Sequence, residues 1–284
     1  MVLPTPTETW VAGGGQLFEV DRGEVRSVAS GNWDYDFVQL GEAEGGTVLI
    51  ASGTTLWHFD PRSGTFLDRF DLGELGYLDA VLSTNSGMWV AASGGKTNVL
   101  ARIDLDSGRV LQRFPIGQGL HQLAASAGYL FVASRSSEVA VVRIDPETGE
   151  VVNVPAPEGS MVVIGTRVWV AWGEGVKCID AISLTPCGEV PVERATTLAS
   201  DGDVLWVLSA TGSKDPTTYL PDPDQPATVT MLDGDTGKVL AGPLALHEHT
   251  PSTIAAGGGS AWIGSHDTGT IVRIDACEPG RCAS

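Results

Sequence analysis

The chain is poor in positive charge, in aromatic residues and in cysteine, and it has no long apolar run. Its 284 residues include 17 Lys and Arg against 35 Asp and Glu, a formal net charge of −18. Nucleic-acid binding needs clustered cations that displace counterions from phosphates. The balance therefore excludes a nucleic-acid partner, and it disfavours an anionic membrane surface equally. An acidic surface that keeps a protein soluble is the plain explanation. No apolar stretch approaches the roughly 18 residues of a membrane helix, so no membrane insertion is expected. Residues Met1-Val2-Leu3-Pro4-Thr5-Pro6-Thr7 lack the charged and apolar regions of a signal peptide. Their Pro/Thr character is that of a stalk before an extracytoplasmic domain, so the chain is read as part of a larger one. No GxSxG, HExxH, Walker A or dinucleotide fingerprint occurs, which removes the common signatures of hydrolases, zinc proteases and nucleotide enzymes. Sustained helical periodicity is missing too, and this favours an all-β fold.

The four cysteines form two local pairs. Cys277 and Cys282 lie about Pro279-Gly280, a pair that favours a type II turn and brings the two Cβ atoms within bridging range. Cys178 and Cys187 flank the turn after Asp180. An even, locally paired count predicts disulfides and an oxidising compartment: secreted, periplasmic or a cell-envelope ectodomain. Reduced buried thiols are the alternative. Neither pair has CxxC spacing, so no metal is expected there.

What the chain does have is a repeat. An apolar-Ile/Leu-Asp tripeptide followed by a Ser/Thr-Gly turn is clearest at Arg102-Ile103-Asp104, Arg143-Ile144-Asp145 and Met231-Leu232-Asp233. Looser copies centre on Asp21, Asp60, Asp180 and Asp275, and successive Asp residues are 39, 44, 41, 35, 53 and 42 apart. A period near 40 suits one four-stranded propeller blade. Upstream of each Asp runs a β-branched and aromatic segment, such as Trp89-Val90-Ala91 or Trp206-Val207-Leu208. Five of the eight tryptophans share this position, so they are read as core wedged between blades. Each Asp is read as opening its turn by accepting backbone N–H groups two or three residues on, with the glycine supplying φ > 0.

The prediction is one all-β domain, residues 1–284: a seven-bladed β-propeller of four-stranded antiparallel blades. A sample blade takes Leu123–Ser126, Tyr129–Ser134, Val139–Asp145 and Glu150–Val154 as its strands. Residues 1–9 are a linker, complete the last blade, or supply the first blade's innermost strand. One repeat is stretched by Thr211–Ala227, a segment with four prolines and no strand pattern, and long structureless loops in compact domains are often functional.

In such an architecture the blade-to-blade loops and the loops joining second to third strands emerge at one face, with the Asp turns at the other. Sorting residues this way gathers His121, His247, His249 and His266 at one mouth, with Tyr35, Asp36, Tyr77, Arg194 and Tyr219. His58 falls inside a third strand. Imidazoles beside carboxylates suit acid–base work, whereas solvated histidines on loops are the bland reading.

The run Pro251-Ser252-Thr253-Ile254-Ala255, Trp262-Ile263-Gly264 and Gly269-Thr270-Ile271-Val272-Arg273-Ile274-Asp275 resembles the streptogramin B lyase-like and YVTN-type propellers. The resemblance covers most of the chain as a repeat signature. It implies, for a lyase, a His base with a nearby Glu and Mg2+ opening a cyclic depsipeptide by elimination at its ester. His249 would then be the catalytic base, with Glu248 or His121 assisting. The blade starts depart from that family's Gly-Pro-x-Gly-Ile, reading Gly119-Leu120-His121-Gln122-Leu123 and Thr250-Pro251-Ser252-Thr253-Ile254. Related propellers without the catalytic set serve as sensor or interaction modules. The expectation is therefore a non-catalytic, extracytoplasmic, monomeric binding domain without a cofactor. Its ligand, a small molecule or protein segment, would contact Tyr35, Asp36, Tyr77, His121, Arg194, Tyr219, His247, His249 and His266. A Mg2+-dependent lyase is the enzymatic alternative, and a docking platform using blade edges or the acidic rim is the third reading.

Overall fold

The computed structural model describes residues 2–4, 9–13, 16–21, 24–30, 38–43, 46–94, 98–116, 120–134, 140–210, 225–246, 251, 253–265 and 269–276. The chain divides into two compact units, Met1–Val154 and Pro155–Ser284. The fold is all-β, and among the described residues no helix is long and apolar enough to cross a membrane.

The first unit holds four antiparallel four-stranded meanders. The first comprises β1 (Val2–Pro4), β2 (Thr9–Gly13), β3 (Gln16–Asp21) and β4 (Glu24–Ser30). The second comprises β5 (Val38–Ala43), β6 (Thr47–Ser52), β7 (Thr55–Asp60) and β8 (Thr65–Asp71). The third comprises β9 (Tyr77–Thr84), β10 (Gly87–Ser93), β11 (Asn98–Ile103) and β12 (Val110–Ile116). The fourth comprises β13 (Leu120–Ser126), β14 (Tyr129–Ser134), β15 (Val141–Ile144) and β16 (Val151–Val154). This last sheet is the sample blade, with each strand within three residues of its expected bounds. Val2–Pro4 ladders with β2, so the N-terminal segment supplies the first strand of the first sheet.

The second unit holds a seven-stranded and a three-stranded sheet. The larger runs through β17 (Met161–Ile164), β18 (Arg167–Ala171), β19 (Gly173–Asp180), β20 (Pro186–Asp201), β21 (Val204–Ser209), β22 (Ala227–Asp233) and β23 (Val239–Leu246). The smaller is β24 (Thr253–Gly257), β25 (Ser260–Ser265) and β26 (Thr270–Asp275). There are thus five sheets of four or more strands, not seven separate four-stranded blades. The cause is β20. Its first half ladders with β19, from Pro186 opposite Ile179 to Pro191 opposite Gly175, with Ala195 opposite Gly173 beyond a register shift. Its second half ladders with β21, from Ala195 opposite Ser209 to Asp201 opposite Val204. The turn motif counts hairpins and is blind to whether the chain stays extended between one outer strand and the next inner one.

Burial follows strand position. The second strands β6, β10, β18 and β21 are buried on both faces after their first residue, up to the half-buried Ser93 that ends β10, as strands covered on both sides must be. The outer strand β8 is exposed almost throughout, and β12 alternates. The expected tryptophan wedges are present: Trp10, Trp89, Trp169, Trp206 and Trp262 are 7% exposed or less. Trp10 packs with Leu40, Ile50 and Phe59 of the second sheet, and Trp89 with Leu130, Val132 and Ile144 of the fourth. Trp206 packs with Ile254 and Ile263.

The Asp turns at Asp60, Asp104, Asp145, Asp180 and Asp233 form as the sequence predicts, and those after Asp21 and Asp275 lie outside the described residues. Asp145 Oδ1 accepts from the backbone N–H groups of Glu147 (2.8 Å) and Thr148 (3.2 Å). Asp180 Oδ1 accepts from Ile182 and Ser183 (3.1 and 2.7 Å). Gly64, Gly108, Gly149 and Gly237 close the turns at φ 68°, 68°, 77° and 71°, each donating to the carbonyl of its Asp. At the Asp180 turn a non-glycine, Leu184, takes that place at φ 59°. Hydrogen bonds hold the carboxyls of Asp60, Asp104, Asp145, Asp180 and Asp233 below their ordinary pKa. Across the Asp180 turn, Cys178 and Cys187 form a disulfide with Cα atoms 5.1 Å apart. Cys277 and Cys282 lie outside the described residues.

Candidate functional site

Three innermost strands break register at one equivalent point. In the third sheet Ala80 faces Ala91 and Leu78 faces Ala92, which leaves Asp79 unopposed. In the fourth, Gln122 faces Ala133 and Leu120 faces Ser134, leaving His121. In the second unit, Thr197 faces Leu208 and Ala195 faces Ser209, leaving Thr196. Each break falls between the second and third residues after the core aromatic, Trp89, Phe131 or Trp206. All three lie at the end of the strand away from the Asp turns. A bulge sets two residues against one, bends the strand and re-aims a side chain, and such devices concentrate beside functional sites.

Asp79 is the informative case. Its neighbours Leu78 and Ala80 are buried, and the kink at the bulge leaves the carboxyl half-buried between them. Burial pushes its pKa up, and a hydrogen bond from Ser93 only partly counters that. Its Oδ2 is buried without a partner among the described residues. A half-desolvated carboxyl with one bare oxygen suits a hydrogen-bond donor or a cation from outside. Two residues earlier, Tyr77 is 62% exposed. Its ring lies over Gly94, where an added Cβ would meet Tyr77 Cδ2 at 3.1 Å, so the glycine gives the ring its seat.

In the second unit, Arg194 has φ 58° and sits between the two halves of β20. Its Nη1 donates to the backbone oxygen and Oε1 of Gln225, both at 3.3 Å. Thr196 Oγ1 donates to the Leu208 carbonyl at 3.1 Å.

Of the residues the sequence nominated, Tyr77 and Arg194 are described in full, the first in one unit and the second in the other. His121 is placed by its backbone at the bulge of β13. Tyr35, Asp36, Tyr219, His247, Glu248, His249 and His266 lie outside the described residues, as does 211–224 of the Pro-rich insertion. His58 lies in the third strand of its sheet, as expected, with Nε2 2.7 Å from Thr47 Oγ1 and its pKa lowered mainly by burial. Asp79 and Thr196 were missed. The available signal for Asp79 was a carboxylate between Leu78 and Ala80 in an apolar strand.

No family model and no curated protein matches this sequence. Solved structures do resemble the fold. A chain of the mitotic checkpoint complex superposes at TM-score 0.77 with 11% identity, covering 98% of this chain and 89% of that one. Virginiamycin B lyase from Staphylococcus aureus gives 0.70 with 13% identity, covering 97% and 94%. The extracellular domain of a protein assigned as a one-component system from B. thetaiotaomicron gives 0.69 with 13% identity, covering 99% of this chain and 41% of that one. At these identities the likeness shows the fold alone: a β-propeller arrangement of antiparallel blades, similar to that of the streptogramin B lyase-like propellers.

Proposed function

We propose that residues 1–284 form one seven-bladed propeller domain acting as an extracytoplasmic, monomeric, non-catalytic binding or sensor module. The two halves of β20 then serve consecutive blades, and β24–β26 belong to the seventh. The ligand, a small molecule or a protein segment, enters at the end of the innermost strands where Asp79, His121 and Thr196 bulge. Loop residues Tyr35, Asp36, Tyr77, Arg194, Tyr219, His247, His249 and His266 gather around it. The carrying observation is the repeated bulge, which sets one polar residue at the same register in three inner strands. Rigid strands that pre-aim polar groups lower the ordering cost of binding. The Cys178–Cys187 bridge and the likeness to an extracellular domain support an oxidising location.

A thermal-shift screen of amines and polyols against the full chain tests this. At a hundredfold excess over Kd a ligand adds about 2.7 kcal/mol to stability. At roughly 2 to 4 °C for each kcal/mol in a domain of this size, that is a rise of several degrees. Asp79→Asn should abolish the rise without lowering the unliganded melting point. The sign follows from the raised folded-state pKa: Asp79 stabilises at low pH and ceases to as pH rises through that value, so at neutral pH its charge opposes folding. A ligand that shifts wild type and Asp79→Asn equally refutes the assignment.

A second reading is raised by the likeness to virginiamycin B lyase: elimination at a cyclic depsipeptide ester, with His249 as base and Glu248 and His121 assisting; a bound Mg2+ would supply Lewis-acid chemistry there. Among the described residues no three His, Cys, Asp or Glu side chains are grouped to hold a metal ion; His249 and Glu248 lie outside those residues. Mg2+-dependent ring opening that is lost in His249→Ala would establish it.

A further inference from the structure

Three blades carry the same Arg-Ile-Asp tripeptide, and in each the arginine stands opposite the second-strand aromatic: Arg102 across from Trp89, Arg143 from Phe131, Arg273 from Trp262. Two of the three are engaged. Arg143 lies over the Tyr129 ring at 4.2 Å. Arg273 Nε donates to Asp275 Oδ1 at 2.6 Å and Ser260 Oγ at 3.1 Å, and its guanidinium stacks on Trp262. Arg102 differs: its Nε is buried and has no partner among the described residues.

Two cavities, about 290 and 410 Å³, open at Arg102, and both are also lined by Thr84, Asn85 and Ser86 of the β9–β10 turn. The smaller adds an apolar wall of Met88, Leu105 and Leu111, and Leu111 is 54% exposed. The guanidinium lies against Gly87, where an added Cβ would sit 2.9 Å from Nε and 3.4 Å from Nη2, so a side chain there would displace it. The turn itself is braced: Thr84 Oγ1 is 2.8 Å from Ser86 Oγ and donates to the Gly87 carbonyl at 3.0 Å.

We propose that Arg102 anchors a second binding site, at the Asp-turn end of the third and fourth sheets, for a small monocarboxylate with an apolar body. The carboxylate meets the guanidinium, which is shaped for planar oxyanions, and the hydrocarbon lies on Met88, Leu105 and Leu111. A single negative charge is favoured over a dianion because Asp104 and Glu147 also line the cavities. Asp104 is kept ionised by its turn, accepting from Asp106 N (3.2 Å) and Ser107 Oγ (2.6 Å). This site is distinct from the bulge-bearing strand ends and does not depend on them.

The rival explanation is a purely structural arginine that closes onto its cross-strand neighbour Gln112, whose Nε2 donates to the Pro146 carbonyl and whose Oε1 is buried without a partner. Calorimetric titration of the full chain with hexanoate, 1-hexanol and inorganic phosphate separates the two. Hexanoate should bind saturably at about 1 mM, the strength expected of a ligand with so few atoms, with hexanol and phosphate weaker. Arg102→Met should weaken hexanoate at least about tenfold, since a charge-assisted bond is lost, while the urea midpoint stays at the wild-type value. Leu111→Ser should weaken hexanoate and leave acetate unchanged. Three results overturn the proposal: no saturable hexanoate binding, equal binding by Arg102→Met, or hexanol or phosphate binding as tightly as hexanoate.

Discussion

Trp169 and Trp206 occupy the same blade position in the same unit, are 1% and 2% exposed, and differ in one respect. Trp169 Nε1 donates to the Gly234 carbonyl at 2.8 Å, inside the protein. Trp206 Nε1 is buried with no partner among the described residues. Trp→Phe removes the same atoms at both sites, so the loss of packed volume is shared and largely cancels in the difference. What remains is the hydrogen bond. Trp169→Phe strands the Gly234 carbonyl, and an unsatisfied buried acceptor costs about 1 to 3 kcal/mol. Trp206→Phe strands nothing and removes a desolvated N–H. Trp169→Phe should therefore be the more destabilising by about 1 to 3 kcal/mol, or roughly 2 to 4 °C of melting temperature for each kcal/mol. Gly234 follows Asp233, and its N–H donates to the Asp203 carbonyl at 2.7 Å. The loss should thus also loosen the Asp233 turn and speed hydrogen exchange there. Urea unfolding followed by far-ultraviolet circular dichroism measures both variants without relying on the deleted fluorophore. Equal costs, within about 0.5 kcal/mol, would refute the claim that this hydrogen bond distinguishes the two sites.

The Cys178–Cys187 bridge closes a loop of sequence separation 9, for which loop-closure entropy predicts about 2 to 3 kcal/mol; the Cys178→Ala/Cys187→Ala double variant should lose that much in urea unfolding, and a wild-type midpoint indifferent to reductant would contradict it. Asp145 has a folded-state pKa lowered from 3.8 by hydrogen bonds from Glu147 and Thr148, so its contribution is complete above that value and fades as pH falls toward the folded pKa. Asp145→Asn should accordingly flatten the loss of stability as pH falls below about 4, and parallel profiles for the two proteins there would show that the turn does not depend on the ionised carboxyl.

The features legible in the sequence were those fixed by local chemistry repeated at a period. The Asp turns could be read because an Asx acceptor, a hydroxyl and a glycine at φ > 0 are set by residues within five positions. The tryptophan core could be read because an aromatic in a β-branched run, recurring at one phase, has few places to go but between sheets. Sheet membership could not be read. β20 runs on from its ladder with β19 to its ladder with β21 through Val192, Glu193 and Arg194, and the left-handed φ of 58° at Arg194 is uncommon for a non-glycine residue and not signalled by it. The expectation of separate four-stranded sheets failed there. The choice for Val2–Pro4 lay between two edges with similar patterns, and the ladder with β2 decides it.

The same reasoning explains why Asp79 and Thr196 were passed over while Tyr77 and His121, which also lie in inner strands, were nominated as loop residues. Sorting by loop assumes that a strand's side chains alternate strictly, so a polar residue inside a strand is assigned to one face and dismissed. A bulge breaks that alternation at one point without altering composition: Leu78-Asp79-Ala80 and Leu120-His121-Gln122 share no residue beyond the leading leucine. What they share is a place, next to the third residue after a core aromatic on the neighbouring strand. The bulge is thus marked by its place across the hairpin from the aromatic, which a pattern within the bulged strand alone does not report. Reading Trp89 and Phe131 as anchors and counting back across the hairpin turns reaches Asp79 and His121 alike. The tryptophan phase that specifies the core is, by that route, also the ruler that positions the inner-strand polar groups.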